Sequence, residues 1–377
     1  MAEILINGGV TVVPQRPKGI ITAYRALEDI RRQLLRFHDS FALPYERHPP
    51  RADKKSLRPL QTEAIDLKTE YLKILTSCAQ ILEGQFSTMP AESRAYYGPL
   101  LKFLALSNDA HTGVPFVMDV VSYYNYCSTA EHAAALGKPY SHDDPVFDSP
   151  FEHKAFVEEK IMAAVRRCDA YKCLLSTGLD SQIELFNLGS LIGEVLTMER
   201  IEAMSYSVRN LSGPKQRLAL TKDYFYAHAA QNIHPIGYPS NIKPLVHFLM
   251  ENLVSNAFKA SFGAAARFDK IEQVYPQYSG CITREPHVEV KVFRKNDTEI
   301  AVVISDNGIG IPKEKLPALF DSDEKPRIFK SFQYSNGSTT ELIPFIADLT
   351  GISIRFTSNV GQGTTVELTI PVSLHGY

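Results

Sequence analysis

The chain has 377 residues, enough for two domains of ordinary size, each with its own core. Forty Lys and Arg against 42 Asp and Glu leave a net charge of −2, which argues against a dedicated nucleic-acid binder, because phosphate neutralisation needs clustered basic residues. The apolar runs fall far short of the roughly 18 residues of a membrane span, and the start MAEILINGG lacks the basic region and long apolar core of a secretory signal.

Amphipathic, helix-period patterning runs from about Ile20 to Ser176. It predicts helices over Ile21 to Ser40, Thr62 to Leu82, Tyr97 to Tyr126 and Glu152 to Leu175. In the second of these, Ile65, Leu72, Leu75, Cys78, Ala79 and Leu82 are expected on one buried stripe. Pro44 to Pro59, Met89 to Glu92 and the Asp/Pro/His-rich Lys138 to Pro150 read as loops. Four such helices predict a bundle over residues 20–180. The cysteines at 78, 127, 168, 173 and 281 are odd in number and form no CxxC, so they read as reduced thiols of a reducing compartment.

After about Leu185 the period changes, and residues 181–377 predict a helix-on-sheet α/β sandwich. VHFLMENLVSNAFKAS, Val246 to Ser261, is a helix with Leu249, Leu253, Ala257 and Ala260 on an apolar stripe. Asn252, Asn256 and Lys259 line its border. A carboxamide in that position needs a partner or loses roughly 1–3 kcal/mol to desolvation. HVEVKVFRKNDTEIAVVISDNG alternates Val288, Val290 and Val292 with polar residues, turns at Asn296 and Asp297, and returns through Ile300 to Ser305 as a hairpin. A helix is expected over Thr340 to Leu349, followed by a second hairpin turning through Gly361 to Gly363.

Three short signals stand in fixed order here: the asparagine helix, SDNGIGIP from Ser305 to Pro312, and GQGTTVELTIP. In the second, Asp306 ends a strand, and Gly308 and Gly310 let the backbone approach a ligand closely. Each is weak alone; a DxGxG is commonly a plain turn. Together they resemble the ATP-binding domain shared by histidine kinases, Hsp90 chaperones, DNA gyrase and the mitochondrial protein kinases. The resemblance implies a C-terminal α/β sandwich of the histidine-kinase/Hsp90/gyrase ATPase type that binds ATP with Mg²⁺. It gives Asn256 to the metal and phosphates and Asp306 to the adenine amino group. Gly308, Gly310 and Thr364 would shape the adenine pocket, and Lys259 would neutralise phosphate charge. A single amide oxygen completed by phosphates and water suits magnesium.

The first half also resembles a family. LLKFLALSNDAHTGVPFVMDVVSYY and AFVEEKIMAAVRRCDAYKCLL look like the third and fourth bundle helices of the mitochondrial pyruvate and branched-chain 2-oxo acid dehydrogenase kinases. YPSNIKPLVHFLME, entering the nucleotide helix, is similar to the same family. The histidine-kinase alternative needs a phosphoacceptor box; FHDSFALP, holding His38, lacks its spacing, and His111 reads as a surface histidine.

The chain departs from the dehydrogenase kinases in three places. They carry a glutamate general base four residues before the metal-binding asparagine and a histidine one turn earlier. Here that position is Asn252, while Glu251 and His247 sit one residue further from Asn256. At 100° per residue Glu251 points about 140° around the helix from it. Only a bulge would bring Glu251 inward. The glycine-rich phosphate lid is represented by Gly337, Ser338 and Thr339, with a threonine where the family has its next glycine. The C-terminus, His375-Gly376-Tyr377, lacks the family's long tail, which favours a dimer made by the sheets, or a monomer.

The resemblance implies a protein serine kinase of the mitochondrial matrix acting on the E1 component of a 2-oxo acid dehydrogenase complex. It would dock to the lipoyl-bearing core as a homodimer or a heterodimer with a paralogue. Two alternatives stay open: a nucleotide-binding pseudokinase of the same fold, favoured by Asn252 and Thr339, and a histidine kinase, favoured by the asparagine pair in ENLVSNA.

Overall fold

Helix-period apolar spacing in the first half becomes helices that bury those stripes against one another. The computed structural model describes residues 2–6, 19–42, 54–107, 150–175, 183–196, 225–229, 236–239, 242–266, 287–320 and 342–372. They fall into two units, residues 15–177 and residues 1–14 with 178–377.

In the helical unit, α1 (Ile20–Ala42), α2 (Lys54–Phe86), α3 (Ala91–Ser107) and α4 (Pro150–Leu175) form a bundle. Helix α1 packs on α2 and α4, and α2 packs on α3. The buried face of α1 is Leu27, Ile30, Leu34, Phe37 and Phe41, each worth about 1.5–3 kcal/mol when fully covered. Tyr96 on α3 donates its hydroxyl to the carbonyl of Leu174 on α4 at 3.4 Å, joining those two helices.

Two details differ from the sequence reading, and part of a third expectation falls outside the described residues. Residues 54–59 are helical, because Pro59 lies close to the start of α2 and forfeits a single backbone bond. Ile65 is 46% exposed; the covered line there runs through Ala64, Leu67, Tyr71 and Leu75. The two lines meet at Leu75, beyond which Cys78, Ala79 and Leu82 are buried as expected, and before it the large ring of Tyr71 claims the core. Of the helix expected over Tyr97 to Tyr126, residues up to Ser107 are described and the rest, with His111, lies outside the described residues.

The second unit holds a mixed sheet in the order β1 (Ala2–Ile6), β7 (Ser353–Asn359), β8 (Gly363–Pro371), β6 (Glu299–Asp306), β5 (Val288–Asn296), β3 (Phe225–Ala229). Strand β3 runs parallel to β5, and the other neighbours are antiparallel. Strand β2 (Ile183–Phe186) pairs with β4 (Ile236–Pro239) in a small second sheet. Alternation along β5 to β8 covers one face: Val288, Val290, Val292, Ile300, Val302, Ile304, Ile354, Phe356, Leu368 and Ile370 are buried. Helices α5 (Leu188–Val195), α6 (Lys243–Ala266) and α7 (Leu342–Thr350) make the other layer, with α6 packed on α5, α7, β5, β6 and β8.

This is the helix-on-sheet sandwich expected from the change of period. The N-terminal strand is one of the elements that pattern reading left unassigned, with β2, β3, β4 and α5. Five residues, AEILI, are too few to distinguish a strand from an apolar tail, and their partner β7 lies at the far end of the chain, pairing Ala2 with Ser358.

Candidate active site

The candidate site is built where β6 ends. Strand β6 stops at Asp306, and the backbone turns through Asn307 to Gly310 before two short 3₁₀ turns, Lys313–Lys315 and Pro317–Phe320. Beside it, β7 ends at Asn359 and β8 begins at Gly363, so Asp306 stands opposite Thr364 in the register of β6 with β8.

Asp306 Oδ1 accepts the backbone N–H of Gly308 at 2.9 Å and that of Thr364 at 3.3 Å. Its Oδ2 has no partner among the described residues. Burial pushes the carboxyl up to about 7, against the two backbone N–H bonds that pull it down. A carboxylate fixed by one oxygen, with the other spare, is suited to accept from a flat amino donor.

The glycines are there for close approach. A Cβ on Gly308 would sit 2.5 Å from the carbonyl carbon of Ala260, so this glycine lets the loop lie directly on α6. A Cβ on Gly363, where φ is +91°, would sit 1.8 Å from the carbonyl oxygen of Asp306. Gly310 presses on the Asn359 carbonyl in the same way.

The underside of this loop is pinned by buried hydrogen bonds. Ser261 Oγ donates to Asn307 Oδ1 at 2.5 Å, and the His287 backbone N–H reaches both of these oxygens, at 2.8 and 2.7 Å. Ser358, 2% exposed, accepts from the Ile311 N–H at 2.8 Å and donates to the Gly363 carbonyl at 3.0 Å. These hydroxyls were missed in the sequence. The available signal was Ser358 in an inward position of a strand otherwise lined by Ile354 and Phe356, just before a glycine turn.

Helix α6 supplies the other wall. It is α-helical from Lys243 to Ala266 without a π turn. No bulge brings Glu251 round to the side of Asn256. Glu251 Oε2 lies 3.7 Å from His247 Nδ1, one turn back on the same helix. Asn252 turns inward on its own helix and donates from Nδ2 to the Phe248 carbonyl at 2.7 Å. Asn256 is half-buried and makes no side-chain hydrogen bond to another described residue. Leu249, Leu253 and Ala257 are buried as expected, while Ala260 is the partly open position on which Gly308 rests.

The structure therefore brings Asp306, Gly308, Gly310 and Thr364 together and lays that loop on α6 one turn beyond Asn256. The side chain of Lys259, and the whole of Gly337, Ser338 and Thr339, lie outside the described residues. Among the described residues there is no cluster of three or more His, Cys, Asp or Glu able to hold a metal. A hard cation would depend on the Asn256 amide oxygen together with ligand oxygens and water, which suits magnesium rather than zinc.

Residues 241–374 match the family described as histidine kinase-, DNA gyrase B- and HSP90-like ATPase. Among curated proteins, the sensor protein kinase GraS of Staphylococcus aureus strain MRSA252 is 33% identical over 76 residues, 20% of this chain and 22% of that protein. The strain Newman protein of the same name is 34% identical over 77 residues, covering 20% and 22%. The chain thus spans about a fifth of the length of these curated relatives. Among solved structures, a mycobacterial sensor histidine kinase, MprB, overlaps 50% of this chain and 97% of its own at 15% identity, with a TM-score of 0.33. The fold is an N-terminal helical bundle joined to a C-terminal α/β sandwich of the histidine-kinase/Hsp90/gyrase ATPase type.

Proposed function

We propose that the chain is an ATP-dependent protein serine kinase that acts slowly on the E1 component of a mitochondrial 2-oxo acid dehydrogenase complex. The observation that carries nucleotide binding is Asp306, with one carboxylate oxygen held by two backbone N–H groups and the other spare. In this reading Asp306 accepts from the adenine amino group, and Thr364 and the glycine loop close around the ring. Asn256 would offer its amide oxygen to a magnesium ion, which would supply positive charge to offset that of the phosphates. Lys259 and Gly337 to Thr339, which lie outside the described residues, are given to the phosphates on the sequence resemblance alone.

Most of the catalysis in phosphoryl transfer is positioning and charge neutralisation, so a chain without a good base still turns over. Here the position of the base is Asn252, whose amide nitrogen already donates to the Phe248 carbonyl. An amide takes no proton, and general-base help is worth roughly 10²–10⁴-fold. The serine hydroxyl would lose its proton late, to water or to the phosphate itself.

That same hydrogen bond favours a second reading, a nucleotide-binding regulatory subunit that has given up transfer. The match of residues 241–374 to the histidine kinase-, DNA gyrase B- and HSP90-like ATPase family, with the likeness of 76 residues to a sensor protein kinase, keeps a third reading in the experiment, with histidine as acceptor. Transfer of labelled γ-phosphate from Mg-ATP is measured on purified E1 and on the chain itself, alongside Asn256→Ala and Asn252→Glu. Acid-stable label on E1 serine that vanishes in Asn256→Ala and rises at least about 10-fold in Asn252→Glu is expected. ATP binding with no label supports the regulatory reading. Acid-labile label on the chain overturns the serine kinase.

A further inference from the structure

We infer that Ser358 is the residue that sets the direction of the Thr364 hydroxyl and so makes the site select a 6-amino over a 6-oxo purine; this rests on the reading that Asp306 and Thr364 face adenine.

Ser358 lies on β7 with its side chain turned inward. Its hydroxyl meets three groups: the Ile311 N–H at 2.8 Å, the Gly363 carbonyl at 3.0 Å and the Thr364 hydroxyl at 3.0 Å. A serine hydroxyl has one proton and two lone pairs. The Ile311 N–H can only donate and the Gly363 carbonyl can only accept, so the serine proton goes to Gly363 and one lone pair goes to Ile311. The contact with Thr364 then has one consistent polarity: Thr364 donates to the remaining lone pair of Ser358.

With its proton committed inward, Thr364 has only lone pairs left for a ligand or a bridging water. Asp306, one strand away in register, offers its spare carboxylate oxygen as a second acceptor. Two acceptors side by side match an amino edge and leave a carbonyl edge with nothing to accept from. Ser358 touches no ligand in this arrangement; it acts through Thr364, and it also ties the Gly308 to Ile311 loop to the turn between β7 and β8. Without it, Thr364 can rotate its proton outward and receive a 6-oxo group.

The test is the ratio of dissociation constants for inosine triphosphate and ATP, which differ at the purine 6-position. It is measured by titration calorimetry on the full chain and on Ser358→Ala and Thr364→Val. The parent is expected to prefer ATP, and Ser358→Ala is expected to lower the ratio by about 3- to 10-fold, the share of one neutral hydrogen bond. A merely structural role for Ser358 would weaken both nucleotides equally and leave the ratio unchanged, which overturns the inference. If Ser358→Ala does not fold, Thr364→Val decides, since it removes the same acceptor from the other side; a parental ratio in that variant also overturns it. A parent that binds both nucleotides alike removes the adenine reading of Asp306, and this inference with it. A parent that discriminates while Ser358→Ala keeps its ratio sinks this inference alone.

Discussion

The two units handle buried polar groups in opposite ways. In the bundle, Tyr71 and Cys168 are almost fully covered, and burial raises both acids well above their ordinary values. Burial likewise pushes the Cys78 thiol up to about 12. Such groups stay protonated and behave as hydrophobes with a weak polar edge. The charges that join α1 to α4, Arg31 with Asp169 at 2.6 Å and Lys172 with Glu28, sit part-exposed at the rim. In the α/β unit a set of buried and half-buried polar groups instead converges on one place, the ends of β6, β7 and β8. Ser261, Asn307, Ser358, Thr364 and Asp306 meet there within a mesh of backbone N–H groups. Polar groups spread through a core are tolerated as packing, whereas polar groups gathered at strand ends around glycines that admit no Cβ make up the candidate site.

That contrast can be broken by substitution. Phe37→Ala, at a site with no exposure in α1, is expected to cost about 3–5 kcal/mol. Its effect should lie in the bundle's thermal transition, with ATP affinity unchanged; a matching fall in affinity would mean the two units are not separable in this way. Gly363→Ala is expected to cost roughly 2–4 kcal/mol through positive φ and its collision with the Asp306 carbonyl. It should abolish nucleotide binding, read by calorimetry, since the collision moves Asp306 itself.

Asp306→Asn sharpens the comparison through pH. The carboxyl lies at about 7 in the folded chain, above its ordinary 3.8. The folded state therefore binds the proton more tightly than the unfolded one. Stability from this group is fully present below pH 3.8 and is lost as pH rises through 7. Urea melts from pH 4 to 8 should show the parent losing ground to Asp306→Asn across that window. ATP binding should run the other way: the parent tightens as pH passes through 7, because the carboxylate is the better acceptor, while the variant is flat and about 10- to 100-fold weaker. The smallest effect expected is Arg31→Met, under about 1 kcal/mol by thermal melts, because the ion pair with Asp169 is part-exposed.

The helical period of Ile21 to Ser40 and the alternation of Val288, Val290 and Val292 were sufficient to identify α1 and β5, because each pattern repeats over several turns or pleats. Boundaries were less legible. Residues 54–59 looked like loop on the strength of Pro59, whose penalty so near the start of α2 is a single lost backbone bond. In the site, Asp306 and the glycines could be read because DNGIG is a compressed signal, with all its parts within a few residues. Ser358 and Ser261 could not, since a lone serine in a strand or helix carries no pattern. Their partners, Ile311 and Asn307, are 47 and 46 residues away in the chain.

By itself, then, the sequence determined the division into helical and α/β portions and the strand and helix that carry Asp306 and Asn256. Those are properties of local spacing and residue chemistry, which a one-dimensional pattern records. The tertiary structure alone decided that Ala2–Ile6 forms an edge of the sheet by pairing with Ser353–Asn359, near the other end of the sequence. It also decided that Glu251 stays on its own side of an unbroken helix, and that one buried serine hydroxyl joins two glycine turns. Each of these depends on a contact between distant segments, and the chain closes such contacts for the burial and hydrogen bonding they complete in three dimensions.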